Sequence, residues 1–484
     1  MHHIDWRPSK RSTIPLYQQI VQYIKDKITC GEWPIGSQIP PQRELAKAFG
    51  VNRSTVITAL EELMALGLIE GKTGKGTIVV NNTWSLLTAT PPDWNVYVKS
   101  GFYKPNQSIV QRINLAENRS DLIHLGKGEL SPQLFPLDKW KMVTNLFIQE
   151  MDSLGYGEPK GLLVLRQAIH EHLKTLGIHV SPASILIVSG ALQALQLISV
   201  GLLSKGSTIL LEEPSYLFSL QLFQSAGMIL SGLPMDQHGL TLKSLSIHGK
   251  QRKRNILYVN PSFHNPTGTV MSEDRRKEIL GICEKEQLPI IEDNVYGELW
   301  IDARPPLPLK ARDKHGQVLY LGSLSKTLSP GLRIGWIVGP EPVVDRLADI
   351  KMQTDYGTSA ISQWIAAEWF KSGLYHEHVE SVRSQLKIRR QVAVEALEQH
   401  LKGLASWNIP SGGFFIWVKI LVQVPMKKVF DQALSQGVLF YPGSIYHPKY
   451  NQYLRLSYSY ASLAEIRKGI YIIARIIKQC LKQI

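Results

Sequence analysis

Apolar residues recur at Leu16, Ile20, Ile24 and Ile28, the spacing of one helix face, with Pro15 at the first turn. Gly31, Pro34 and Gly36 then break the chain. A second helix is expected from Gln42 to Phe49, closed by Gly50. A third follows Asn52 as its N-cap and turns Val56, Leu60 and Leu63 inward. Two short helices joined by a tight glycine turn make a helix-turn-helix. Arg53, Ser54 and Thr55 occupy the N-terminal end of its last helix, the part of a recognition helix that reaches base edges. Leu68-Ile69-Glu70-Gly71 and Ile78-Val79-Val80 read as two strands around the basic tip Lys72-Thr73-Gly74-Lys75-Gly76-Thr77, which together make a wing.

Beyond residue 120 the pattern changes to short apolar runs, the signature of strands buried on both faces, each followed by a polar loop. Ile185 to Val188 leads through Ser189, Gly190 and Ala191 into a helical run, whose free N–H groups suit a phosphate. Thr208 to Glu212 precedes Glu213-Pro214-Ser215-Tyr216, where Tyr216 offers an aromatic face for ring stacking. Asn255 to Val259 precedes Ser262-Phe263-His264-Asn265-Pro266-Thr267-Gly268, in which Asn265 is a side-chain donor. Leu288 to Ile291 delivers Asp293 at the carboxyl end of its strand, with Tyr296 three residues on.

Lys326 lies in Gly322-Ser323-Leu324-Ser325-Lys326-Thr327, with Arg333 seven residues further. A lysine amine forms a Schiff base with a carbonyl, while hydroxyls and a guanidinium hold a phosphate. The common cofactor that is both aldehyde and phosphate is pyridoxal 5'-phosphate (PLP). Asp293 would pair with its ring nitrogen, and Asn265 and Tyr296 would reach its ring hydroxyl. Ser323-x-x-Lys326 also fits the Ser-x-x-Lys of penicillin-recognising enzymes, but the one Lys-Thr-Gly, at Lys72-Thr73-Gly74, precedes it instead of following, and Ser-Asp-Asn is missing.

From about residue 120 onward these ordered motifs resemble the fold-type I aminotransferases, an α/β fold. The resemblance implies Lys326 as the Schiff-base lysine, Asp293 at the pyridine nitrogen, and Ser323, Ser325 and Arg333 at the phosphate. It further implies that Tyr156 reaches a phosphate across a dimer interface and that Arg455 binds a substrate or effector carboxylate. Many relatives carry a hydroxyl where this chain has Ala191, so Gly190 and Ala191 are carried over as main-chain contacts only.

The first 80 residues resemble the GntR family of winged-helix repressors through Pro40-Pro41-Gln42-Arg43-Glu44-Leu45-Ala46 and Val51-Asn52-Arg53-Ser54-Thr55-Val56. That resemblance implies DNA contacts from Arg43, Arg53, Thr55, Lys75 and Gly76; a serine often stands where this chain has Gln42. A winged helix followed by an aminotransferase-like domain resembles the MocR subfamily of GntR regulators. It implies a homodimeric, PLP-dependent transcriptional regulator that binds an operator and senses PLP or an amino compound. The alternative is a working aminotransferase with an appended DNA-binding domain.

Composition agrees with a multi-domain chain: 484 residues exceed what one hydrophobic core organises, and 44% apolar with 19% charged residues is an ordinary globular balance. Net charge is +14, yet residues 1–80 hold ten Lys or Arg against seven Asp or Glu, so motif and not charge carries the nucleic-acid reading. The expected division is a DNA-binding domain over 1–80, a tether over 81–121 that docks in places, and a cofactor domain over 122–484. Cys30, Cys283 and Cys480 are scattered and odd in number, which indicates neither a disulfide framework nor a metal site. No apolar stretch approaches the ~20 residues of a membrane helix, and the first residues form no signal peptide, so a cytoplasmic protein is expected.

Overall fold

The structure, a computed structural model, describes residues 4, 6–72, 76–82, 94–150, 155–243, 245 and 255–482. It divides into two compact units, residues 1–101 and 102–484.

In the first unit α1 (Leu16–Thr29), α2 (Gln42–Phe49) and α3 (Arg53–Ala65) precede β1 (Ile69–Lys72) and β2 (Gly76–Val79). The predicted spacing is the buried face: Ile20, Ile24 and Ile28 of α1 meet Leu45 and Phe49 of α2 and Val56, Leu60 and Leu63 of α3. Leu16 is the member of the repeat that stays half-buried outside this core. Gly50 ends α2 in the left-handed conformation at φ 68°, where a side chain would cost about 1 kcal/mol. Asn52 does stand at the N-cap of α3, but its side chain makes no capping bond. The wing is antiparallel, pairing Ile69 with Val79 and Lys72 with Gly76. Its predicted contact Lys75 lies outside the described residues.

Residues 102–121, expected as part of the tether, fold with the second unit. Helix Ser108–Glu117 buries Ile113 and Ala116 in that unit's core. The tether therefore shortens at its C-terminal end, because apolar positions spaced three apart found a core to enter.

The second unit is built on an eight-stranded sheet. Its order is Ile185–Val188, Gly335–Val338, Val318–Ser323, Ile290–Asp293, Asn255–Val259, Thr208–Glu213, Ile229–Asp236 and Gly239–Leu240. The five strands from Val318–Ser323 to Ile229–Asp236 run parallel, and Gly335–Val338 runs antiparallel to both its neighbours. Alternate residues enter different cores: Ile256 and Tyr258 join Ile209 and Ile291, while Leu257 and Val259 join Ile279 and Ile290 on the other face. A smaller antiparallel sheet, Ala405–Trp407, Phe415–Ile420, Tyr453–Ser457 and Tyr441–Pro442, shares a further core with helices Leu374–Leu401 and Leu463–Leu481. No helix among the described residues is long and apolar enough to cross a membrane.

Candidate functional site

Parallel strands deliver their last residues to one edge of the sheet, the usual place for a ligand in such folds. Asp293 and Ser323 are both strand-terminal, and the register that pairs Leu321 with Asp293 leaves Ser323 two residues further along the same face. Above this edge opens a cavity of about 550 Å³. It is lined by Gly190, Ala191, Tyr216, Asn265, Asp293, Tyr296, Ser323, Ser325, Lys326, Arg333 and Arg455. Eleven predicted residues, spread over more than half the chain, thus share one space.

Lys326 donates from Nζ to the carbonyl of Gly128 at 2.7 Å. Burial lowers its amine to about 8, against the opposing pull of the Glu129 carboxylate. An amine of that character is neutral often enough to be a nucleophile near neutral pH.

At one end, Arg333 adopts the left-handed conformation at φ 54°, at a cost of about 1–2 kcal/mol, and its Nη2 donates to the Ser189 carbonyl at 2.7 Å. A Cβ on Gly190, itself at φ 84°, would sit 2.7 Å from that same Nη2. Only a glycine lets the start of helix Ala191–Gly201 approach the guanidinium so closely. Ser323 Oγ meets Ser325 Oγ at 3.0 Å, and Gln193 accepts from the Ser189 N–H at 2.7 Å, fixing the turn from its far side. Two hydroxyls, a guanidinium and a helix N-terminus border this end of the cavity, groups whose chemistry suits an anion.

Asp293 is held by groups the sequence reading did not single out. Tyr258 Oη donates to its Oδ2 at 2.7 Å, and Asn260 Nδ2 donates to its main-chain carbonyl at 2.6 Å. Burial pushes the Asp293 carboxyl up, opposed by the Tyr258 hydrogen bond. Beneath them, the Asn260 N–H donates to Glu212 at 2.8 Å, and burial pushes that carboxyl up to about 7.

Arg455, in the middle of the strand Tyr453–Ser457, is 3% exposed. Its Nη1 donates to Asn265 Oδ1 at 2.7 Å and its Nη2 to the Gly126 carbonyl at 2.6 Å, while Nε has no partner. The rings of Phe415, Tyr441 and Tyr446 surround the guanidinium, at 3.8, 4.7 and 5.3 Å from centroid to Cζ. Because Asn265 spends its oxygen on Arg455, its amide N–H groups remain to donate elsewhere. Tyr441, Tyr446, Phe415, Glu117 and Glu129 also line the cavity and carry no local motif that would mark them.

Tyr156 is absent from this lining; its ring is 87% exposed and packs edge-on against Tyr356 at 5.0 Å. A single chain does not bring it to the cavity.

In the first unit Arg43, Arg53 and Ser54 are exposed and Thr55 is half-buried at the start of α3. Arg53 donates to Gln42 Oε1 from Nε at 3.3 Å and Nη2 at 3.1 Å. Gln42 thus orients the arginine from the preceding helix. Gly76 opens β2 at φ 75°, and a Cβ there would stand 2.9 Å from Gln38 Nε2.

Residues 16–79 match the family of bacterial regulatory proteins, gntR family, and residues 120–473 match aminotransferase class I and II. Over 471 residues the chain is 61% identical to the HTH-type transcriptional regulator YdfD of Bacillus subtilis, covering 97% of this chain and 98% of that protein. The HTH-type transcriptional regulator NorG of Staphylococcus aureus is 34% identical over 454 residues, 91% of this chain and all of its own length. Among solved structures, the multiple substrate aminotransferase of Thermococcus profundus aligns at a TM-score of 0.74 with 31% identity, covering 78% of this chain and 97% of that one.

Proposed function

The chain belongs to the helix-turn-helix transcriptional regulators in which a gntR-family domain precedes an aminotransferase class I and II domain, and on that premise we propose that it regulates transcription through PLP and an amino effector bound in the cavity around Lys326. The observation that carries the reading is the convergence of Lys326, Asp293, Asn265, Arg333 and Arg455 on one space.

The residues fit that cofactor. The cradle of Ser323, Ser325, Arg333 and the Gly190–Ala191 main chain suits its phosphate, and Asp293, clamped by Tyr258, suits a protonated ring nitrogen. Asn265 and Tyr296 would serve the ring hydroxyl, Tyr216 the ring face, and Tyr156 the phosphate of a second copy. Bound there, PLP supplies an aldehyde that takes primary amines and a ring that draws electrons from them.

The chain's own residues do the rest. Lys326 presents a depressed amine, Arg455 offers its guanidinium to a carboxylate, and the aromatic rings around it keep water from that charge. An effector repositions the DNA-reading unit only through unequal affinity for two conformations. Arg43, Arg53, Ser54, Thr55, Lys75 and Gly76 would contact the operator.

Footprinting the DNA upstream of the gene, with and without PLP and amino acids, tests the reading in wild type and Lys326→Ala. Protection that changes with ligand in wild type and not in the variant is expected. An identical ligand response in Lys326→Ala, together with steady transaminase turnover by the wild type, would overturn it in favour of an aminotransferase with a DNA-binding appendage.

A further inference from the structure

The cavity holds one charge that PLP and an effector carboxylate leave over. Its cations are Lys326, Arg333 and Arg455, and its carboxylates are Asp293, Glu129 and Glu117. Under the proposed function each cation has a task, and so has Asp293. Glu129 lies 3.5 Å from Lys127. Glu117 makes no ion pair among the described residues.

Glu117 is the last residue of helix Ser108–Glu117, and it closes a wall to which Val110, Ile113 and Asn114 also contribute. A carboxylate at a helix C-terminus adds to the partial negative charge of the unsatisfied carbonyls there, which disfavours the isolated helix and attracts a cation. No basic residue occupies that last turn. One oxygen of Glu117 accepts a hydrogen bond from Tyr441 Oη. The Tyr441 ring in turn packs against the Arg455 guanidinium, 4.7 Å from centroid to Cζ, and it sits so near Gly126 that any side chain there would collide with it. One phenol therefore sets the spacing between a cation and an anion that face the same space.

We infer that Glu117 is the specificity residue of this cavity and that the effector is a basic amino acid, its carboxylate on Arg455 and its side-chain amine or guanidinium on Glu117. The inference rests on the proposed function. It adds the sign of the effector's distal group, which Lys326 and Arg455 alone leave open. An acidic side chain would meet the Glu117 carboxylate and the helix end as like charges, and an apolar one would cover that carboxylate while leaving it the Tyr441 hydroxyl and no cation.

The test is calorimetric titration of the full PLP-loaded chain with lysine, ornithine and arginine, against norleucine and glutamate. At least one basic amino acid should bind about tenfold or more tightly than norleucine, the scale of a charge-assisted pair, and glutamate should bind more weakly than norleucine. In Glu117→Gln, which keeps shape and the acceptor for Tyr441, the preference should shrink to within roughly threefold. Basic and apolar ligands binding alike in the wild type would overturn the assignment without any variant, and so would a preference that survives in Glu117→Gln. Absence of binding by every amino acid would instead sink the effector reading of the cavity, and the assignment with it.

Discussion

Tyr258 donates its hydroxyl hydrogen to Asp293 at 2.7 Å from the neighbouring parallel strand. The register pairs Tyr258 with Ile291, so Asp293 stands two residues on and on the same face. The phenol favours the ionised carboxylate against burial, which pushes the other way. Tyr258→Phe should raise the dissociation constant for PLP by about tenfold, the scale of a hydrogen bond to a charged group. Equilibrium dialysis measures it, and unchanged affinity would show that the hydrogen bond does not tune the site.

Lys326 gives the cofactor-free protein a pH signature. Its folded value of about 8 lies below the ordinary lysine value of 10.5, so between the two the unfolded chain binds more protons and this group's contribution to stability rises with pH. Between pH 8 and 10 the stability of the wild type should rise relative to that of Lys326→Met, measured by denaturation of both, because the other titrating groups are common to the two. By the same proton, the rate of PLP capture followed by absorbance should climb through pH 8 and level above it.

Arg455→Lys keeps a charge but loses the fork that holds Asn265 and Gly126 together. Affinity for a carboxylate-bearing effector should fall by about tenfold or more, while borohydride reduction still fixes a pyridoxyl group on Lys326. Loss of that labelling would show that Arg455 serves the cofactor.

The exposure of Tyr156 leads to a complementation test. If it completes a second copy's phosphate cradle, a heterodimer of Tyr156→Phe and Lys326→Ala chains has one doubly altered and one intact site. Tight PLP binding at half stoichiometry is expected from the mixed species, and from neither parent.

Arg53→Ala should cost roughly 1–3 kcal/mol on the protected sequence and relax selectivity, as expected for an arginine paired with guanine. Lys75→Ala should weaken all DNA alike and lower the salt slope by about 1. Gel-shift titrations at several salt concentrations separate the two. Equal weakening on specific and random DNA in Arg53→Ala would reassign that residue to phosphate.

Residues set in a local motif were the legible ones. Gln42 to Phe49 with Gly50, and Ser323 to Arg333, declare themselves because turn chemistry and strand length act locally. Tyr258 was not singled out, since its role depends on strand register, which an apolar run does not reveal. Glu117 and Tyr441 stand 324 residues apart and meet only once a helix from the supposed tether folds against the small sheet. The cavity lining was legible where chemistry names a residue type, and hidden where packing alone supplies the partner.

The hydrogen bonds from Arg53 to Gln42 cross between two helices, so the direction of that guanidinium is decided outside the helix that bears it. Should Arg53 meet a base edge, a change at position 42 would alter which base pair is preferred while the side chains of the helix that bears Arg53 stay the same. Among duplicated copies in one genome, divergence at position 42 alone would then separate their binding sites, and a comparison restricted to the recognition helix would call them identical.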